Sequence, residues 1–287
     1  MKTKTCLIGA LSIGLAAGVT RILQYIFTIG PKGFYLHTPL ADVLSIVLTA
    51  LLAVGVIWCL IYGFSGSKEE ACYSVLFRTK TKFNFFFFTV GLQSLVGCVI
   101  GIRNYLDTKS PLQLIVATLC LLGGIAWLII DRKTVKGARV GLIAVLPVVH
   151  LGAVIIDYFW QTYKYIHVSA FTLALLGLCT CILLVLAVMK AAVGGACTLR
   201  RLGASAGLVL VFAFAGFWVP LFGEIFIENS MAENSYLFTL GMYLSGLAAQ
   251  TLSSIVCHPQ KQEEQPTEPD LSHLNEFLSN LPEIEEE

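Results

Sequence analysis

Residues 40–63 read LADVLSIVLTALLAVGVIWCLIYG, with one carboxylate, Asp42, near the start and no further charge. A helix needs about 20 apolar residues to cross the hydrocarbon core of a bilayer, and this run is long enough. Inside that core only a helix or a closed barrel satisfies its own backbone hydrogen bonds. The run has no strict polar–apolar alternation, so it reads as a helix.

Working outward, the same pattern recurs at 6–29, 84–104, 111–130, 138–158, 168–189, 203–223 and 236–257. With 40–63 these make eight stretches. The prediction is an all-α polytopic transmembrane bundle over residues 1–257, its short connections joining antiparallel neighbours. Composition agrees. Hydrophobic residues make up 56% of the chain and charged residues 13%, against roughly 25% charged in a soluble domain. The mean hydropathy is +0.79. A water-soluble chain of this composition would expose large apolar patches.

The connections also set an orientation. Fourteen of the 19 lysines and arginines fall on the N-terminus, the second, fourth and sixth connections, and the tail, including Lys80, Lys82, Arg132, Lys133, Lys136, Arg200 and Arg201. Lys32, Arg103, Lys109 and Lys164 fall on the opposite side, and Arg21 lies inside the first stretch. Cationic connections stay in the cytoplasm, so both termini are predicted inside, in a plasma membrane of the bacterial inner-membrane kind. Residues 1–257 are basic. The cations lie where the membrane rule puts them, so a bilayer partner is expected and a nucleic-acid partner is not. At the N-terminus, Lys2, Lys4 and the apolar run also fit a signal peptide, with Ala16 and Gly18 flanking a cleavage site. The run continues to Ile29, which favours an uncleaved anchor.

Residues 258–287 form a second unit. Half of the chain's 18 acids lie there. A polar, proline-containing linker leads to a short stretch with Leu271, Leu274, Phe277, Leu278 and Leu281 on one helical face. Such a tail suits a protein partner or the chain's own basic connections. The Gly14/Gly18 and Gly97/Gly101 pairs allow close helix contact, within the bundle or in a homodimer.

Ionisable groups inside a bilayer are costly and mark candidate sites. Arg21 sits about 12 Å from the nearer end of its helix, and Asp157, Glu224 and Asp42 are the carboxylates at matching depth. They form either a packing clamp or a solute site. His150 follows Pro147 by three residues, where a proline leaves a carbonyl without its helical donor. Pro220 breaks the seventh stretch just before Glu224. Gln93 and Gln250 are expected to hydrogen-bond across helices.

No catalytic set, cofactor site or metal cluster follows from the sequence. Gly63–Phe64–Ser65–Gly66 matches the Gly-x-Ser-Gly pattern of rhomboid-type intramembrane proteases. Ser65 and His150 fall at opposite depths, however, and a nucleophile and its base must meet within about 3 Å.

The segment Gly18–Arg21–Gln24–Tyr25 through Gly33–Phe34–Tyr35, with Asp157–Tyr158–Phe159, resembles a group of uncharacterised bacterial multi-pass membrane proteins. The resemblance covers the first five helices and implies no activity. Two function classes remain open. One is a small-solute transporter. The other is a non-transporting sensor or membrane subunit of a complex. An enzyme is the less favoured reading.

Overall fold

The computed structural model describes residues 3–27, 38–65, 84–132, 138–163, 169–193, 197–221 and 235–257. They form α1 (Thr3–Phe27), α2 (Pro39–Ser65), α3 (Phe85–Thr108), α4 (Pro111–Arg132), α5 (Ala138–Thr162), α6 (Ser169–Ala192), α7 (Leu199–Leu221) and α8 (Ser235–Cys257). Each coincides with one apolar stretch to within a few residues. The acidic tail, Glu224 and the two connections carrying Lys80 and Lys133 fall outside the described residues.

Local chemistry starts and stops these helices. Asn84 caps α3 by accepting from the Phe86 N–H at 3.1 Å. Thr38 does the same for α2, accepting from Ala41 N–H at 3.2 Å. Pro39 and Pro111 occupy first-turn positions, where a missing N–H costs nothing. Between α3 and α4, Lys109 adopts φ 56°, ψ 19°, and its N–H reaches back to Tyr105 O at 2.7 Å. This left-handed closure turns the chain back within two residues, making α3 and α4 an antiparallel hairpin.

Seven helices, α1 to α7, are long and apolar enough to cross a membrane. The eighth, α8, has 23 residues, about 35 Å of helix, but Ser245, Gln250, Thr251, Ser253 and Ser254 keep it less apolar. Packing removes the need for more. α8 contacts α1, α3, α6 and α7, and Leu240, Leu244, Leu247, Thr251 and Leu252 are buried. Its hydroxyls are bonded: Thr251 donates to Leu247 O at 2.7 Å, and Ser245 accepts from Trp218 Nε1 at 3.2 Å. A helix surrounded by other helices need not match lipid.

α7 is the hub. It touches α1, α2, α6 and α8, and 78% of its span window is buried, against 22% for α2. Its Gly203–Gly207 segment is made of small residues, which lets neighbouring backbones approach. On α1, a Cβ at Gly14 would collide with Leu210 O, and one at Gly18 would lie 2.7 Å from Phe214 Cβ. Gly97 faces Tyr236 of α8, and Gly101 faces Ala117 of α4. Both glycine pairs are therefore used within the chain. α3 and α4 meet through reciprocal glycines, Gly124 lying under Gly91 O and Gly91 under Gly124 O.

Above this contact α7 widens into a π-helical turn, Phe214–Trp218, in which Val219 N–H reaches Phe214 O. Pro220 follows. It has no N–H to offer Gly216 O, and its ring crowds that carbonyl. A wider turn accommodates both effects, so the helix is expanded where the sequence predicts a break.

Glycines at close contacts and glycines facing open space are expected to respond oppositely. Gly14→Val is expected to lower stability by about 2–3 kcal/mol through overpacking against backbone. Gly152→Ala, whose new methyl would meet only Ile182 Cδ1 at 4.0 Å, is expected to be neutral or stabilising by about 0.5–1 kcal/mol. Thermal unfolding of the purified protein in one detergent, compared with the unsubstituted chain, checks both.

Candidate functional site

Asp157 and His150 lie seven residues apart on α5, two helical turns, and so share a face. That face looks into a cleft between α3, α4, α5 and α8 at the end of the bundle poor in Lys and Arg. Gln113 Nε2, from the first turn of α4, donates to Asp157 Oδ1 at 2.6 Å. Gln161 Nε2, one turn further along α5, donates to Asp157 Oδ2 at 2.9 Å. Asn104 of α3 and Tyr236 of α8 complete the polar wall. The cleft holds about 40 Å³, room for one or a few waters.

Exposure falls with depth. Gln161 is exposed, Asp157 half-buried and Gln113 buried; Cys120, Tyr236 and His150 below them are enclosed. Tyr236 Oη lies 3.5 Å from His150 Nε2 and 3.9 Å from Cys120 Sγ, both long contacts. The opposite ring nitrogen, His150 Nδ1, is buried with no hydrogen-bond partner among the described residues. His150 fits because α4 offers Gly123, where a Cβ would stand 2.6 Å from His150 Cβ. α5 continues through Pro147 as one helix.

Asp157 receives two neutral donors, the amides of Gln113 and Gln161. Among the described residues no Lys or Arg forms an ion pair with it. A carboxyl group in these surroundings either carries a proton or requires a cation, because an isolated charge out of water is costly.

Arg21 lies elsewhere. It is fully buried; its Nη1 donates to Gln24 Oε1 at 2.8 Å, and its guanidinium carbon stands 4.9 Å from the centre of the Tyr25 ring. Gln24 Nε2 in turn donates to Ser45 Oγ of α2 at 3.3 Å. Gly14, Gly18 and Arg21 share the face of α1 that packs on α7. The structure therefore joins His150 and Asp157 and leaves Arg21 in a separate α1–α2–α7 cluster. Asp42 is exposed at the start of α2, and Glu224 lies outside the described residues.

Of the two amides expected to bridge helices, Gln93 does so, donating from α3 to Tyr236 O at 3.2 Å. Gln250 Oε1 has no partner among the described residues. Ser65 donates to Ile61 O of its own helix at 2.6 Å. Gln113, Gln161, Asn104 and Tyr236 were not singled out as site residues by sequence. Gln113 carried a signal, an amide inside an otherwise apolar run. Tyr236 reads as a tyrosine near the end of an apolar stretch, where aromatic residues are common at a membrane interface.

Comparison with known proteins gives no match to this chain, whether to a protein-family model, a curated protein or a solved structure. Its chemistry rests on the geometry above.

Gln113→Leu removes a donor to the carboxyl group and is expected to cost about 1.5–3 kcal/mol, the range for a hydrogen bond to a charged group. Combined with Asp157→Asn the losses should fall short of additive by at least about 0.5 kcal/mol. A double-mutant cycle by thermal unfolding in detergent measures this. Arg21→Met keeps the stem and removes the buried guanidinium. It is expected to destabilise by about 3 kcal/mol or more, since Gln24 loses its donor.

Proposed function

We propose that this multi-pass membrane protein carries a small cation, a proton or a bare monovalent ion, through the cleft between α3, α4, α5 and α8. The observation that carries the proposal is the Asp157 carboxyl group, half-buried in a helix long and apolar enough to cross a membrane. It is held by two amides and faces no basic side chain among the described residues. Ionisable groups in such positions mark ion pathways and proton relays. The size of the cleft narrows the solute. About 40 Å³ admits a water-sized species, whereas organic ligands occupy pockets of roughly 300 Å³ or more.

In this reading the solute enters at the Lys- and Arg-poor end, exchanges its hydration for the Asp157 and Gln113 oxygens, and passes towards Tyr236 and His150. Arg21, buried and bonded to Gln24, acts as a clamp between α1 and α2. That buried Arg21 also favours the second class, a non-transporting sensor or subunit, for the α1–α2 side of the molecule. The two readings differ in whether Asp157 exchanges anything with water.

Reconstitution into liposomes separates them. A pH-sensitive dye reports proton flux, and ion-sensitive dyes report sodium and potassium. The unsubstituted protein is expected to dissipate one imposed gradient well above empty liposomes. Asp157→Asn, near-isosteric, should slow that flux about tenfold or more while unfolding within a few degrees of the unsubstituted chain. Flux indistinguishable from empty liposomes for all three ions, or undiminished in Asp157→Asn, would overturn the proposal.

A further inference from the structure

A second cavity lies at the opposite, Lys- and Arg-rich end of the bundle. α7 touches both α2 and α6, while α2 and α6 are not among the helix pairs in substantial contact. α7 is therefore recessed between two flanking helices. Its small side chains, Ala204 and Ser205, deepen the floor, and Gly63 of α2 adds no side chain to the wall. The groove holds about 280 Å³, several times the volume of the cleft at Asp157.

Its lining is ordered along the helices. On α6, Leu183, Leu186 and Lys190 recur at helical spacing on one face; on α7, Arg201, Ser205 and Leu208 do the same. Because the two helices are antiparallel, both cations come to one end and the leucines lie beyond them. The apolar track from Lys190 to Leu183 is about 10 Å long. Leu183 and Leu186 are 48% and 39% exposed. Ser205, the hydroxyl in the floor, is already bonded to Leu202 O at 2.9 Å, so the floor asks for no polar partner.

Among the described residues the cationic end is uncompensated. No carboxylate lines the groove, and neither Lys190 nor Arg201 forms an ion pair among the described residues. Both are exposed. They converge on the buried Cys197, where burial pushes the thiol up and the two positive charges oppose that shift. Apolar track and paired cations together have the outline of a phospholipid: an acyl chain along the leucines and a phosphate at the mouth. Basic pockets between transmembrane helices bind anionic headgroups.

We infer that the groove between α2, α6 and α7 is a binding site for an anionic phospholipid, with Lys190 and Arg201 holding the phosphate and Leu183, Leu186 and Leu208 the acyl chain. A zwitterionic lipid would lose most of the attraction from two cations. This inference is independent of cation transport at Asp157.

The test uses the full chain in nanodiscs of equal phosphatidylglycerol and phosphatidylcholine, with retained lipid read by native mass spectrometry. Two near-surface cations predict a preference for phosphatidylglycerol of about thirtyfold. Lys190→Gln with Arg201→Gln is expected to reduce it to within about threefold. Leu186→Trp, at a half-exposed wall position, leaves the charges and fills the groove; it should cut retained phosphatidylglycerol about tenfold. Thermal unfolding verifies that each variant is folded. Equal retention of the two lipids by the unsubstituted chain overturns the assignment, as does a preference that survives removal of both charges. A preference arising only after deletion of residues 258–287 assigns the groove to the acidic segment and likewise overturns it.

Discussion

The close approach of α1 to α7 at Gly14 and Gly18 governs the arrangement of the bundle. Water supplies no driving force between helices in a lipid environment, so association depends on how near two backbones come and how many atoms then touch. Two glycines one turn apart on α1 and the small residues of Gly203–Gly207 on α7 provide that proximity. Once α1 lies on α7, α2 packs beside both, and α6 and α8 take the remaining flanks. α3, α4 and α5 then extend the bundle on the far side, each hairpin drawn together by its own glycine contacts.

The same economy governs polar groups. Hydroxyls in the spans mostly return to their own helix, as Thr20 to Ala16 O, Ser94 to Val90 O and Thr251 to Leu247 O. These bonds satisfy the side chain without committing it to a neighbour. Amides behave differently. Gln24, Gln93 and Gln113 each bond another helix, and each sits beside a group of functional or architectural weight. Arg21 and Asp157 thus occupy two separate polar islands, each built around a glutamine.

Helix number, extent and class were legible in the sequence because a bilayer imposes length and apolarity on every span directly. Residues 40–63 already contain the rule that found the other seven. The glycine pairs were legible as contacts but not as to partner, since Gly97 and Gly101 belong to one stripe yet face α8 and α4 respectively. The site was half legible. Asp157 and His150 stand out as ionisable residues in apolar helices, and their seven-residue spacing puts them on one face. That Gln113 and Tyr236 join them depends on which helices become neighbours, and α8 reaches α3 only across the whole fold. Arg21 shows the converse. A buried arginine predicts a carboxylate at its depth; among the described residues Arg21 meets Gln24 and Tyr25 of its own helix, and Glu224 lies outside them.

The π-helical turn in α7 has a geometric corollary. One additional residue in a helix advances everything beyond it by about 100° around the axis. The two halves of α7 therefore run on different angular settings, like two gears keyed onto one shaft. The first half turns its small side chains to α1 and α2. The second delivers the Phe217 ring between Gly177 of α6 and Gly241 of α8, while Gly216 lies under Leu173 O. An uninterrupted α-helix of the same sequence would present Phe217 to a different neighbour and leave both of those glycine hollows empty. A single inserted residue thus lets one rod serve two sets of partners.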